Sequence, residues 1–407
     1  MNIRSITYFI DSDFPLDEGR IAHAGRFLGE VRKAFEAAGY VVQTTRLALP
    51  PLSRTFGKTS IGEAIKYAQD LEALCFVHSI DYVSLGVARP SDPATYYDVI
   101  PEIIAATQNV FLGGVIASPM GGISLQAIHL AGRIIHSCAK ISPDGLGNLR
   151  FAALANVEPG TPFLPAAYHE GGPASFGIAT EAADLAVAAF TEAVTLAEAR
   201  SRLIASIEDQ ARRINSVAKK IGGTRSVRFA GIDFSLAPFP SSDKSIGAAI
   251  EALGVGAVGA PGTLAAAAFI TDALQRAKFQ EIGFSGLFLP VLEDNVLAAR
   301  SAEGLVTVSD LLLYSAVCGA GLDTVPLPGD ITPEELAPIL LDVAALALRL
   351  NKPLTARLLP IPGKQAGDEI TFSFPFFANG RVLAHKARPL SGALGGNESF
   401  DLAHRTK

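Results

Sequence analysis

Short apolar runs alternate with amphipathic segments along most of this chain, and that alternation is the strongest limit on its fold. Runs typical of buried strands occupy 3–9, 82–88 and 110–117. Segments with the apolar period of a helix lie between them, for example 19–38, which ends at a glycine. Strands separated by helices favour parallel βα units. No linker and no 20–50-residue repeat divides the chain, so the pattern predicts one large α/β body.

Length and composition agree with a large buried core. The chain has 407 residues, of which 49% are hydrophobic and 18% charged. So few charges suit a compact body with buried contacts between subunits, and we therefore expect a homo-oligomer. An Ala-rich helical region over 181–221 is expected to break near Arg200. Pro333 stands near the start of a further predicted helix, as proline often does.

Charge and cysteine content exclude several partner classes. The net charge is −6 and no long Lys/Arg cluster occurs, which disfavours nucleic-acid binding. Cys75, Cys138 and Cys318 form no CxxC pair, which argues against a disulfide scaffold or zinc ribbon and predicts a reducing, cytoplasmic location. Residues 1–13 lack the features of a signal peptide, and no apolar stretch reaches the length of a membrane span.

A glycine motif at 254–259 has the form GxGxxG, but a helical pattern rather than a strand precedes it. Because the dinucleotide fingerprint requires a strand at that point, a helix end followed by a turn is the favoured interpretation. Thr263 opens the next predicted helix, whose amino end is a possible anion contact.

A long Pro/Gly-rich stretch over 157–177 contains His169 beside Gly171 and Gly172. Loops of this length inside a compact body are usually functional or disordered, and the apolar content of this one predicts an ordered loop. Glycines allow a backbone to approach a ligand closely. Two interpretations of His169 remain open, a ligand contact and a structural anchor of the loop.

Polar side chains follow several predicted strands. Asp233 and Ser235 share one strand face, where they point either to a ligand or to the turn that follows. Glu293 and Asp294 follow the apolar run that begins after Ser285. Adjacent carboxylates serve as metal ligands or proton carriers, but they also commonly begin a helix.

Cys318 lies among glycines, between a predicted helix and a predicted strand. Such a cysteine is either a reactive thiol or, more commonly, a small buried apolar residue. Asp323 begins the following strand and belongs to the same neighbourhood.

Taken together, these segments resemble the family called domain of unknown function 711, or UPF0210. The resemblance covers most of the chain, is strongest between about 227 and 326, and is lost after about 377. It is carried by the following segments: 2–7, 151–156, 162–163, 167–169, 233–238, 262–263, 285–294, 318 and 321–323.

The resemblance implies a fold related to the ten-stranded α/β barrel of pyruvate formate-lyase-like glycyl radical enzymes. It implies a single barrel-like domain over 1–377 and a C-terminal extension over 378–407. It does not imply radical chemistry, because the glycines at 392, 395 and 396 lack the Arg-Val-x-Gly-aromatic setting of the radical glycine. The resemblance transfers no catalytic residue.

The candidate site follows from the polar residues at predicted strand ends, where ligands gather in parallel α/β folds. We expect an enzyme of the lyase, isomerase or hydrolase type acting on a small polar or anionic metabolite, with no membrane partner. The alternative is a non-catalytic small-molecule-binding or regulatory oligomer. The expected roles are catalysis by His169, Asp233 and Cys318, substrate binding by Ser235, Thr263, Ser285 and Asp323, and a divalent metal at Glu293 and Asp294.

Overall fold

The computed structural model describes residues 1–11, 14–57, 59–225 and 227–404. Strands are β1 Asn2–Phe9, β2 Val42–Ala48, β3 Tyr82–Ala88, β4 Val110–Ser118, β5 Gly122–Ser124, β6 Phe151–Ala155, β7 Ser175–Glu181, β8 Arg228–Asp233, β9 Gly321–Pro328, β10 Leu354–Ile361, β11 Glu369–Ile370, β12 Gly380–Arg381 and β13 Ser399–Phe400. Helices are α1 Glu18–Ala37, α2 Leu52–Phe56, α3 Ile61–Val77, α4 Thr95–Ala106, α5 Leu125–Ala139, α6 Ala183–Thr191, α7 Leu196–Arg225, α8 Ile246–Ala252, α9 Thr263–Arg276, α10 Asn295–Ala302, α11 Val308–Ser315 and α12 Pro333–Arg349.

A large central sheet of 11 strands organises the fold, which confirms the predicted α/β class. Its main path runs β8-β7-β1-β2-β3-β4-β6-β10-β9, and β5 and β13 extend it beside β4. Strands β1, β2, β3, β4 and β6 are mutually parallel. The pairs β7–β8 and β9–β10 are also parallel. These two pairs run antiparallel to the group of five, which they meet at β1–β7 and at β6–β10. The sheet is therefore mixed.

The segment 281–290 lies beside both edge strands of this path. Ile282 donates its backbone N–H to Ile232 next to β8, and Val291 donates to Asp323 in β9, both at 3.1 Å. Single bridges join the segment to its neighbours on each side, in place of a continuous ladder. Pro290 ends the segment, and proline cannot donate to a ladder.

Local signals in the sequence account for the helix ends. Gly39 adopts a φ of +89° just after α1, as its predicted role at a helix end requires. Thr332 and Glu335 form a reciprocal cap at the start of α12, and Pro333 takes the first helical position. The break in the Ala-rich region lies at 192–195, and the prediction of a break near Arg200 was wrong. No helix within the described ranges is both long and apolar enough to span a membrane.

The loop between β6 and β7 packs against the face of the sheet opposite the helices. Phe163 and Tyr168 belong to one apolar cluster there, and Leu164 belongs to a second. Thr7 donates its hydroxyl to the Pro162 carbonyl at 3.1 Å, which ties the loop to β1. The prediction of an ordered loop is confirmed, and its side chains fill the inner side of the sheet.

Residues beyond 377 remain in contact with the body. Ala378 donates its N–H to the Leu292 carbonyl at 2.7 Å, and Leu383 donates to Pro326 at 3.0 Å. Further along, β13 pairs with β5. The boundary at 377 stays a prediction, and 405–407 lie outside the described residues.

Candidate functional site

Three arginines converge at one end of the inner face of the sheet. Arg4 lies on β1, Arg46 on β2 and Arg357 on β10, and two carboxylates lie among them, Glu293 after the segment 281–290 and Asp323 on β9. All but Arg4 are buried, and Arg4 is largely so. We call these five residues the arginine cluster.

Two of the arginines are paired with the carboxylates. Arg357 donates from Nη2 to Glu293 Oε1 at 2.7 Å and from Nε to Asp323 Oδ1 at 2.6 Å. Arg4 donates to the other Glu293 oxygen, Oε2. Hydrogen bonds between ionised groups are stronger than neutral ones, so this chain of four residues forms a firm frame.

The two carboxylates respond differently to this frame. Burial alone would raise the pKa of Glu293, but Arg4 and Arg357 together hold it below its ordinary value. Burial raises the pKa of Asp323 above its ordinary value, because only Arg357 bonds to it and the Glu293 charge is close. The pKa values of these two neighbouring carboxylates are therefore shifted in opposite directions.

Arg46 has no carboxylate partner within the described residues. Its side chain donates from Nε to the hydroxyl of Thr44 at 2.8 Å, and its guanidinium lies 5.8 Å from the centre of the Tyr82 ring. Burial and the nearby Arg4 and Arg357 lower the pKa of Arg46 to about 9. The Glu293 charge acts against this shift from a distance, but no carboxylate of the described residues bonds to the Arg46 guanidinium.

Arg150 shows how a buried arginine is otherwise satisfied in this chain. Arg46 and Arg150 are both 9% exposed, and neither forms an ion pair in the described part of the chain. Arg150, however, donates to the Thr107 carbonyl at 2.8 Å and to the Ile104 carbonyl at 2.7 Å, at the end of α4. Its charge lies where the partial negative charge of the helix end favours a cation. Arg46 has no comparable set of acceptors.

The Arg46 guanidinium lines an open cleft with a cavity volume of about 70 Å³. Arg4, Glu293 and Arg357 also line it. Its remaining lining consists of Gln43, Thr44, Tyr82, Phe111, Leu149, Phe163, Leu164, Phe374 and Phe376. An unbalanced cation with aromatic walls on an open cleft suits an anionic ligand with an apolar part. We call this space the arginine cleft.

Glu293 and Asp323, predicted as metal and substrate residues, are thus brought together by Arg357. Asp294 is not part of this group. Its carboxylate accepts from the Ser245 hydroxyl and from the backbone N–H groups of Ile246 and Gly247 at the start of α8. It also accepts from Val296 and Leu297 at the start of α10.

Asp294 therefore joins two helix starts, the plainer role considered for it. Glu293 and Asp294 face different partners, and no group of three or more His, Cys, Asp or Glu residues able to hold a metal occurs within the described ranges. The geometry lends no support to a metal at these two positions, and that assignment stays a prediction.

We expect Asp294→Asn to lower the free energy of unfolding by about 2 kcal/mol, because an amide nitrogen replaces one oxygen that accepts helix N–H groups. Urea unfolding followed by circular dichroism measures the change. Asn295→Ala, which alters the adjacent and more exposed residue, serves as the control and is expected to change stability by less than about 0.5 kcal/mol. Equal stability of Asp294→Asn and wild type would refute the double-cap role.

Asp233, Ser235 and Ser285 also lie together, away from the arginine cluster. Asp233 accepts from the backbone N–H groups of Phe284 at 3.1 Å and Ser285 at 2.9 Å, and from the Ser235 hydroxyl. Burial raises the pKa of Asp233 to about 6 in spite of these three donors. These bonds hold the segment 281–290 against β8, so the contacts of Asp233 are structural ones.

The raised pKa of Asp233 predicts a pH-dependent stability. The folded state favours the protonated acid, so this contribution is fully present below the ordinary pKa of 3.8 and is lost as pH rises through about 6. Relative to Asp233→Asn, which cannot titrate, wild type should lose about 2 kcal/mol between pH 4 and pH 7, since one pKa unit is worth about 1.4 kcal/mol and part of the effect lies below pH 4. Paired urea titrations at several pH values measure this, and a constant difference between the two proteins would contradict it.

His169 lies at the opposite end of β1 from Arg4. Its backbone N–H bonds to the Leu49 carbonyl at 3.0 Å, and its ring Nε2 lies 3.9 Å from Asp11 Oδ1. Burial lowers the pKa of His169, against the influence of Asp11. Arg4 and Asp11 are seven positions apart and β1 continues to Phe9, so about 17 Å of strand lies between Arg4 and the end of β1 before Asp11.

Thr263 and Cys318 are both buried outside the arginine cleft. The Thr263 hydroxyl donates to the Ala260 carbonyl at 2.8 Å and accepts from the Gly259 N–H, so it stabilises the turn before α9. The backbone carbonyl of Cys318 accepts from the Lys352 ammonium group. The predicted roles of these two residues in binding and catalysis stay predictions.

Sequence reasoning missed the three arginines. Each of them interrupts an otherwise apolar or small-residue strand, and a charge in such a run was the available signal. Their partners lie far along the chain: Arg4 and Glu293 are 289 positions apart, and Arg357 and Glu293 are 64 positions apart. Only the three-dimensional arrangement shows which arginine lacks a carboxylate.

Several proteins are similar to this chain. A UPF0210 protein of Pyrobaculum arsenaticum is 34% identical over 85% of this chain and 79% of its own length. One from Carboxydothermus hydrogenoformans is 29% identical over 87% and 82% of the two chains. A solved cellobiohydrolase mutant in its closed form is 14% identical over 54% of this chain and 59% of that chain, with a TM-score of 0.26, too low to support any argument.

The family model described as Uncharacterised ACR (DUF711) matches residues 1–375. This range includes every residue of the arginine cluster. The chain belongs to the DUF711 family, whose similar members carry the name UPF0210.

Proposed function

We propose that this protein binds a small anionic metabolite in the arginine cleft, with Arg46 as the group that receives the negative charge. The observation that carries the proposal is a buried guanidinium that faces an open cleft without a carboxylate partner. An isolated buried charge is costly unless it is paired. An anion in the cleft would supply the missing partner.

Arginine suits this role because its planar guanidinium presents donors that match the two oxygens of a carboxylate. The Nε–H of Arg46 is already held by Thr44, which leaves the Nη groups to bind a ligand. Arg4 and Arg357 are engaged by Glu293 and keep the neighbouring wall in place. A preformed site of this kind limits the ordering that binding requires.

Titration with ¹³C-labelled acetate at constant ionic strength tests the proposal, with chloride as the matched salt. We expect a saturable broadening of the acetate signal at millimolar concentrations. Native mass spectrometry of gently purified protein adds a second measurement, since a bound organic anion would shift the intact mass. Acetate that shows no saturable effect, together with protein that carries no anion, would contradict the proposal.

A second candidate is an enzyme that uses the same cleft. The observation in its favour is that the pKa of Glu293 is lowered while that of Asp323 is raised. Pairs of carboxylates whose pKa values are shifted in opposite directions are typical of sites for acid–base catalysis. The lyase, isomerase and hydrolase classes all remain within this candidate.

Exchange of ligand hydrogen for deuterium in D₂O, followed by NMR, tests the enzyme candidate. Exchange catalysed by wild type and lost in Glu293→Gln would support it. If carboxylates bind saturably but are neither exchanged nor converted, the enzyme candidate is refuted and only the binding function is supported.

We also propose that the sheet closes into a ten-stranded barrel related to that of the glycyl radical enzymes. Support comes from the segment 281–290, which bonds to the neighbourhoods of both β8 and β9. With this segment counted, the path contains two groups of five parallel strands. Hydrogen exchange tests the closure: the amides of Ile282, on the β8 side, and Val291, on the β9 side, are expected to be protected, and fast exchange at either would contradict it.

A reducing cytoplasmic location and a homo-oligomeric state complete the proposal. The three cysteines are buried free thiols, which suits a reducing compartment. Phe76 and Val77 are exposed at the end of α3 and offer an apolar contact for a second copy. Light scattering during gel filtration tests the assembly, and a monomeric mass would contradict it.

A further inference from the structure

The arginine cleft has its charges at one end and apolar walls elsewhere. Arg4, Arg46, Arg357 and Glu293 supply the charged end. Tyr82 and Phe163 lie against the Arg46 and Arg357 guanidiniums, at 5.8 and 5.4 Å from the ring centres. The rest of the lining is mainly apolar: Phe111, Leu149, Leu164, Phe374 and Phe376. A ligand that fills the cleft must therefore present an anionic group to one end and an apolar body to the rest.

The net charge at this end of the cleft matches a ligand that carries a single negative charge. Three guanidiniums and two carboxylates form the arginine cluster. The nearby carboxylate of Glu181, which also acts on Arg4, is matched by Lys244 at 3.7 Å, so one positive charge remains for a ligand. Glu293 itself lines the cleft, so a dianion would meet a carboxylate as well as Arg46. The groove that adjoins the mouth carries Glu72, which opposes a second anionic group further out, and Asp81, which is paired with Arg32.

The aromatic walls are built to remain in place. Phe374 lies 5.2 Å from Phe377, which is buried in the apolar cluster around Leu292. Phe376 lies 5.3 Å from Phe374 and 5.8 Å from Phe239, measured between ring centres. Both cleft-lining rings are half-buried, so each has a free surface against which another ring can pack.

We infer that the ligand class of the arginine cleft is a monocarboxylate with an aryl or similarly bulky apolar substituent. The inference rests on the proposed anion-binding function and adds the chemical class of the ligand. Arg46 binds the carboxylate, and Phe374 and Phe376 contact the apolar body. Acetate shares the carboxylate alone, whereas phenyl phosphate shares the ring but carries two negative charges at neutral pH.

Titration calorimetry and ligand-observed NMR with phenylacetate, acetate and phenyl phosphate test the inference on the full-length protein. Phenylacetate is expected to bind about tenfold or more tightly than acetate, because the ring leaves water for an apolar wall. Phenyl phosphate is expected to bind more weakly than phenylacetate at pH 8.

Phe374→Ala is expected to weaken phenylacetate binding about fivefold or more and to leave acetate binding unchanged. Phe372→Ala is the matched control, because Phe372 belongs to the same aromatic segment and contacts Phe377 but does not line the cleft. Circular dichroism verifies that both variants are folded.

The outcomes separate this inference from the proposed function. Equal affinity for acetate and phenylacetate would overturn the inference and leave anion binding intact. Tighter binding of phenyl phosphate would overturn the single-charge argument. If none of the three anions binds, the proposed function fails and the inference fails with it.

Discussion

Replacing Arg46 by leucine is expected to abolish measurable phenylacetate binding while the unliganded protein becomes more stable. The loss of affinity should be about 30-fold or more, because removing one partner of a buried charged hydrogen bond costs about 2 kcal/mol or more. The gain in stability should be about 1–2 kcal/mol, because an unpaired buried charge is replaced by an apolar side chain in an aromatic cleft. Calorimetric titration measures the first effect and urea unfolding the second.

Arg150→Leu provides the control with the opposite expectation. Arg150 is as buried as Arg46, but it donates to the Thr107 and Ile104 carbonyls at the end of α4. Its removal should lower stability by about 2 kcal/mol and leave phenylacetate affinity unchanged. If Arg46→Leu destabilised the unliganded protein as strongly as Arg150→Leu, Arg46 would be a structural residue rather than a ligand group.

Arg357→Met is expected to cause the largest loss of stability, about 3–5 kcal/mol. The change leaves Asp323 without its cation and leaves Glu293 with Arg4 alone. Asp323 would then be buried without a bonded guanidinium, and Glu293 would keep only one. Thermal and urea unfolding measure the loss at pH 7.

Asp323→Asn in the Arg357→Met background should restore part of that stability, because it removes the carboxylate that has lost its partner. Both proteins lose the same side-chain volume at position 357, so the difference in stability between the single and the double variant measures the effect of the unpaired charge. A loss of stability below about 1 kcal/mol in Arg357→Met would contradict the stabilising role of these ion pairs. A further loss of stability when Asp323→Asn is added would contradict it as well.

Local sequence signals predicted the helix ends and the α/β class well. The turn at the GxGxxG motif is an example: α8 ends at Ala252 and Gly254 takes a φ of +102°, as the helix-end interpretation requires. The misplaced break near Arg200 shows the limit of such signals. Thr195 caps α7 through its bond with the Glu198 N–H at 3.2 Å, and arginine is itself a good helix former.

Local sequence patterns do not indicate which strands pair with each other or whether they run parallel. The run at 286–290 was predicted as a strand, yet its neighbourhood makes only single bridges, held by the Asp233 carboxylate. Whether neighbouring strands are parallel or antiparallel depends on contacts between distant parts of the chain. The antiparallel junction of β1 with β7 is one such contact.

The candidate site was predictable in part. Glu293 was identified from its position after an apolar run and Asp323 from its position at the start of the strand after Cys318. The structure brings both onto one arginine. Arg46 was not identified, because an arginine in a strand is noteworthy only when its surroundings lack a carboxylate. That property depends on burial and on the positions of Arg4 and Arg357, which are not adjacent in sequence.

The most direct test of the arginine cleft as a ligand site is a crystal structure of the full-length protein soaked with 4-bromophenylacetate, with anomalous scattering used to locate the bromine. We expect one bromine peak against Phe374 and Phe376, with the carboxylate on the Nη groups of Arg46. A bromine bound elsewhere, for example beside His169 and Asp11, with the arginine cleft free of ligand at saturating concentration, would contradict it.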